Sequence, residues 1–300
     1  VGINPALPSP ASIASPDWTI LEINPDYHLG FEVGARANLN NYNIDIELNW
    51  ERLYGKDSES FEASSTAGVM VGPFFDIGPN SASYKIARGK YSSNFDQVNL
   101  SFGKKICFFD DFYTHFFGGA GFNRIKQTLN NFYSNTAMTT SREIETSSTF
   151  TGAGPQIGLD YQYRIYKSFF FKGRSLLSLF MGQIKNGANY KSVSSDAPTD
   201  LPQPNIQTTK IPNRVQLIPG FEQKIGFSYL ATWNCIRTIF EIGYQCQIYV
   251  NAVQTIDMAS QALPADSPLV PDVGVFALGF MQNNSNFMLT GLYGLAGIEF

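Results

Sequence analysis

The sequence lacks any run of about 18 apolar residues, the length a membrane-spanning helix needs. It is also short of charge: Asp, Glu, Lys and Arg make up 15% of its 300 residues, against about 25% in an ordinary globular chain. The net charge is -4, and no basic cluster exists of the kind that tracks phosphates, so nucleic acid is not an expected partner. Histidine, the usual general base, occurs only as His28 and His115. The two fall near opposite ends of their predicted strands and do not share a site, so no enzyme is predicted. The three cysteines, Cys107, Cys235 and Cys246, have no metal-ligand spacing. Neither a metal nor another cofactor is expected. No P-loop, HExxH or calcium-loop pattern appears. GAGPQIG at 152–158 has the wrong spacing for a dinucleotide fingerprint, and its proline interrupts it.

What the chain does have is 25 Phe, 15 Tyr and 26 Gly, together with a repeated period of two. YNIDIELNW, residues 42–50, alternates Tyr42, Ile44, Ile46, Leu48 and Trp50 with Asn43, Asp45, Glu47 and Asn49. Strict alternation of this kind marks a strand with one apolar and one polar face. The same rule holds in YHLGFEVGARANL (27–39), DQVNLSF (96–102), QIGLDYQY (156–163), RVQLIPGFEQKIGFSY (214–229), RTIFEIGYQCQI (237–248) and the stretch from about 286 onward. Two further segments, 112–127 and 173–185, are less regular. The first is read with a bulge, because Arg124 and Lys126 change parity relative to His115.

The connections alternate in length: Asn40–Asn41 short, 55–92 long, KKICFFDD short, 128–147 long, RIYKSFFFK short, 186–212 long, LATWNC short, 252–285 long. An antiparallel up-and-down meander with one smooth and one loop-rich side has this layout. Outer-membrane barrels have it too, with short periplasmic turns and long extracellular loops. The predicted fold is therefore an all-β, antiparallel up-and-down transmembrane β-barrel in the bacterial outer membrane. Nine strands are visible, beginning at residue 27. Bacterial single-chain barrels have even strand numbers, so a parent protein of about ten strands is expected, with one upward strand before the first seen here. Residues 1–26, which carry Pro5, Pro8, Pro10, Pro16 and Pro25, read as an extended extracellular loop segment, since proline at that density forbids a central strand.

The chain ends GLYGLAGIEF. A terminal strand that stops on an aromatic ring suits a barrel, whose last strand pairs with its first and whose ring sits at headgroup depth. The segment also resembles the C-terminal sorting signal of outer-membrane proteins, with Leu292, Ile298 and Phe300 at the matching positions. If the apolar face meets lipid, the polar face lines the lumen. The predicted lining is Glu32, Arg36, Asp45, Glu47, Asn49, Glu51, Asp160, Glu222, Lys224, Arg237 and Glu241, with Gln97, Asn99, Gln156, Gln162, Arg214 and Gln245. Acidic residues outnumber basic ones, which favours cations in transit. The alternative is a lumen filled by its own side chains, since small barrels fill their interiors. The barrel would then act as a structural wall, or as an adhesin or receptor through its Ser-, Thr- and Asn-rich loops.

Several stretches resemble the Legionella major outer membrane protein family. DYHLGFEVGARANL followed by DIELNWERL is similar to that family's opening hairpin. ARGKYSSNFDQVNLSFGK and FFGGAGFNRIKQ resemble the next pair of strands. FTGAGPQIGLDYQY, with its Gly-x-Gly-Pro, and SLLSLFMGQI resemble the pair beyond, so the likeness runs over roughly 27–190. The resemblance implies a water-filled outer-membrane porin for ions and small solutes, exposed at the cell surface and sometimes linked between subunits by disulfides. A host ligand on the loops and a homo-oligomer are compatible with it. Cys107 and Cys235 fall in predicted periplasmic turns, an oxidising compartment. They read either as interchain bridges or as inert thiols. Cys246 sits on the predicted lipid face, where a small apolar thiol is unremarkable.

Overall fold

A computed structural model describes Ile23 and residues 26–39, 44–62, 85–109, 111–134, 141–193, 205–233, 236–262 and 275–299. They form nine strands: β1 (Gly30–Leu39), β2 (Ile44–Glu62), β3 (Ile86–Phe109), β4 (Phe112–Ser134), β5 (Ser141–Tyr166), β6 (Phe169–Val193), β7 (Asn205–Trp233), β8 (Ile236–Ala262) and β9 (Val275–Glu299). All belong to one antiparallel sheet in the order β1 to β9, so each strand pairs with its sequence neighbours. No helix is present among the described residues. The up-and-down meander expected from the alternating connections is thus the observed topology.

The strands run further than the sequence periodicity suggests. A barrel strand crosses lipid in about 9–11 residues, yet β2 has 19 and β7 has 29. The segment 128–147, expected as a long loop, is mostly strand: β4 continues to Ser134 and β5 begins at Ser141. The reason is environmental. Beyond the membrane the outward face of the sheet meets water, so nothing selects apolar residues there at alternate positions, while backbone pairing continues unchanged.

The expected bulge in 112–127 is absent. β4 pairs with β5 without interruption over those residues, and with β3 from Tyr113 onward; the single register shift opposite them lies on β3, between Cys107 and Phe109 at the turn. Arg124 and Lys126 change parity because they point outward, on the same face as Phe122, which is 43% exposed. Register shifts occur elsewhere, between Ile184 and Asn186 on β6 and between Tyr249 and Val253 on β8. The second contains Asn251 at φ 58°, a left-handed conformation that Asn tolerates better than most residues.

The outward face carries an apolar band. It includes Ile44, Leu48 and Trp50 on β2, Leu100 and Phe102 on β3, Ile157 on β5, Leu177 and Met181 on β6, and Leu217, Phe221 and Ile225 on β7, each at least 39% exposed. Its lower edge is aromatic, with Phe108, Tyr163, Phe169, Phe227, Tyr229 and Phe240. A girdle of this kind marks the membrane–water boundary of a barrel. β1 and β9 are the free edges of the sheet among the described residues. Both run in the same direction, so a strand antiparallel to each would be needed to close the wall in the usual pattern.

Candidate functional site

Period-two geometry sends Asp45, Glu47, Asn49 and Glu51 of β2 inward, where all four are buried. The same parity brings in Glu32 and Arg36 of β1, His115 of β4, Asp160 of β5, Lys172 and Arg174 of β6, Glu222 and Lys224 of β7, and Glu241, Gln245 and Gln247 of β8. The curled sheet makes these side chains meet across its interior in three layers.

The lowest layer is ionic, with Arg174 at its centre. Its Nη1 donates to Glu47 Oε1 at 2.7 Å, and its Nε lies 3.6 Å from Asp160 Oδ1. Arg36 donates to Glu47 as well, and its Nη2 is 3.3 Å from Asp160 Oδ2. His115 lies between two carboxylates, 3.0 Å from Asp45 and 3.0 Å from Asp160. Lys224 pairs with Glu32, which also accepts from Asn49, and Lys172 reaches Glu241 at 3.3 Å. The guanidinium of Arg174 rests 4.5 Å from the centre of the Phe117 ring, a cation–π contact. That ring lies over Gly158, where a Cβ would come within 2.2 Å of Phe117 Cζ. Glycine is what lets the ring, and the cation on it, sit at this depth.

The middle layer is uncharged except for Glu51 and Glu222. Gln247 Nε2 donates to both Glu51 oxygens, at 3.0 and 2.8 Å. The Tyr249 hydroxyl donates to Glu222 at 2.9 Å and also reaches Gln97. Gln97 donates to Glu222 and accepts from Asn123 at 2.8 Å.

The top layer is apolar. Phe95, Phe150, Phe180, Ile218 and Tyr249 are 0% exposed and Phe287 is 2% exposed. Ring centres of Phe95 lie 5.6 Å from Tyr249 and 5.8 Å from Phe287, ordinary aromatic packing distances. These residues come from β3, β5, β6, β7, β8 and β9, so the cluster joins much of the wall.

Asp45, Glu47 and Glu51 of β2, Asp160 of β5 and Glu222 and Lys224 of β7 face inward and meet partners there, whereas Arg214 of β7 is exposed. Arg237 and Glu241 lie on the inner row near the short-turn end, where Glu241 also accepts from Tyr293 at 2.7 Å. The sequence reading omitted His115, which lies between Asp45 and Asp160, and the cations Lys172 and Arg174, which offset part of the acidic excess. It also omitted the aromatic layer. The signal for both was available: Phe95 has the parity of Gln97 and Asn99, and Arg174 the parity of Ser178.

Other predicted positions are distributed along the wall. Cys107 is an exposed free thiol in the last part of β3, just before the short turn, and Cys246 is half-buried on an outward row. Cys235 lies outside the described residues, as do Phe300 and nearly all of 1–26. Leu292 and Ile298 are 80% and 63% exposed on the free-edge strand β9. At the loop end His28 Nε2 is 3.0 and 2.9 Å from the two oxygens of Asp57, which also accepts from the Asp26 amide at 3.1 Å. Burial pushes the Asp57 carboxyl up, but these hydrogen bonds outweigh it and hold it below its ordinary value. No group of His, Cys, Asp and Glu among the described residues is arranged to hold a metal ion.

An apolar outward band, an inward polar face and an up-and-down antiparallel sheet define a β-barrel of the bacterial outer membrane. The chain belongs to the Legionella major outer membrane protein family: residues 4–299 match the family model described as Legionella pneumophila major outer membrane protein precursor. No curated protein and no solved structure gave a match.

Proposed function

We propose that this outer-membrane protein is a wall-forming barrel whose interior is closed by its own side chains, and that its contacts with the outside are made by its loop end. The observation that carries this is the Phe95–Phe150–Phe180–Tyr249 cluster, which has no exposed surface and sits above a layer of ion pairs centred on Arg174. A sheet of about eight strands leaves just enough space for side chains to fill, and nine strands stay near that limit. Ions crossing such an interior would have to break Arg174 from Glu47 and Asp160 and part a dry aromatic cluster.

A second reading, a water-filled pore with weak cation preference, is supported by the inward carboxylates Glu32, Asp45, Glu47, Glu51, Asp160, Glu222 and Glu241. In that reading the layers separate when the channel opens. The two are told apart by single-channel recording in a planar bilayer under a salt gradient, with the protein shown to be folded by its heat-modifiable mobility. The closed barrel gives no conductance steps until the plug is thinned, as in F95A/F180A. Steady conductance with a cation-selective reversal potential from the unaltered protein would replace the first reading with the second. Neither reading involves catalysis; the family is one of outer-membrane proteins. The expected interchain bridge through Cys107 or Cys235 remains a proposal, and an apparent size unchanged by reductant on a non-reducing gel would refute it.

A further inference from the structure

The outward face changes character abruptly above the apolar band. On β4 it reads Phe116, Gly118, Ala120 and Phe122, then Arg124 and Lys126. The next rows repeat this across neighbouring strands. Arg124 is in register with Asp96 of β3 and, through it, with Arg52 of β2. Lys126 is in register with Thr149 of β5, which pairs with Lys185 of β6. Arg52, Arg124, Lys126 and Lys185 are all exposed, as are Lys56 and Lys90 on the rows above. Two strand spacings put Lys126 and Lys185 about 10 Å apart along the row, close enough to share one bulky anionic headgroup.

Within these rows the cations are poorly compensated. Asp96 is engaged by Arg52 at 3.5 Å. No ion pair is formed by Arg124, Lys126, Lys185 or Lys56 among the described residues. The nearest outward carboxylate on β5 is Glu145, which lies beyond Thr149 and Ser147 toward the loops. In the inner ionic layer, by contrast, Arg36, Lys172, Arg174 and Lys224 are each paired with a carboxylate. The opposite border of the band carries aromatic rings instead, so the two membrane interfaces are built differently.

We infer that this collar on the outer surface of β2–β6 binds the phosphate groups of an outer-leaflet phosphoglycolipid. The inference rests on the outward band facing lipid. The collar begins within one outward residue of the last apolar side chains, Trp50 and Phe122, which is headgroup depth. It lies on the loop side, hence in the leaflet facing outward. Arg presents a planar fork to phosphate oxygens, and each cation near an anionic membrane surface adds binding energy. A basic patch at this position matches a lipid whose sugar headgroup is phosphorylated, not a neutral one.

The test uses the full chain folded in neutral detergent and titrated with bisphosphorylated lipid A or with the same lipid dephosphorylated, at low and high salt. The unaltered protein is expected to bind the phosphorylated lipid roughly tenfold or more tightly, with the preference falling as salt rises. The variant R124Q/K126Q/K185Q loses the preference while keeping its heat-modifiable fold, and K126R/K185R keeps it. Equal affinity for the two lipids overturns the proposal, as does a triple variant that retains the preference. Full competition by inorganic phosphate at matched concentration would also overturn it, in favour of a free-anion site. If the triple variant does not fold, the comparison of the two lipids on the unaltered protein still decides.

Discussion

The two faces of β4 follow opposite polarity profiles. Inward, it runs His115, Phe117, Gly119, Gly121, Asn123, Ile125, from polar at the short-turn end to apolar toward the loops. Outward, it runs Phe116, Gly118, Ala120, Phe122, Arg124, Lys126, from apolar to charged. The faces exchange roles near residue 123. At lipid depth the outside must be apolar and the inside holds the ions. One turn of the pleat higher the outside meets headgroups and water, so the inside takes over as the apolar core. Polarity in this wall is set by depth and face together.

That contrast is broken most severely at the centre of the ionic layer. Arg174→Ala leaves Glu47 and Asp160 without their main cation, and removing one partner of a buried pair costs about 3–5 kcal/mol. The variant should lose its heat-modifiable mobility at a markedly lower temperature; an unchanged transition would mean the layer contributes little. Phe180→Ala removes a fully buried ring from the apolar layer. A loss of up to about 3–5 kcal/mol follows if the wall does not relax, measurable by urea unfolding in detergent. Parity between Phe180→Ala and an outward Leu177→Ala would deny that an interior core exists.

Gly158→Ala sharpens the contrast more gently. Its Cβ would press on the Phe117 ring, and overpacking of this kind costs about 1–3 kcal/mol. Relief by Phe117→Leu in the double variant would locate the strain at that contact. The smallest effect concerns the loop end. The depressed Asp57 carboxyl contributes stability that is fully present above its unfolded value and is lost as pH falls through its lower folded value. His28→Ala removes its main hydrogen bond, so the acid-induced loss of stability in the unaltered protein should become shallower in the variant. Identical acid profiles would show that the pair does not hold the rim.

Much of this protein was legible in alternation alone. IDIELNW of β2 announces a strand with Ile44, Leu48 and Trp50 on one side and Asp45, Glu47 and Asn49 on the other, and the structure keeps every one of those faces. The strand count and their order were legible too, because each strand pairs with its neighbour and no long-range choice is involved. Strand ends were not legible where the outward face is wet, as in 128–147, since pairing there needs no apolar residue at every second position. The inward aromatic cluster was not picked out, because the alternating segments began after Phe95 and did not include Phe150, and 173–185, which holds Phe180, showed no regular alternation.

The sequence by itself determined that the chain makes an antiparallel wall with an apolar band for lipid, because a two-residue period leaves a side chain no other face to occupy. Only the tertiary structure decided what the inner face does. Arg174 and Glu47 are far apart in the chain, and their meeting depends on how tightly the sheet curls. That curvature brings opposite walls within side-chain reach, so that Arg174 of β6 meets Glu47 of β2.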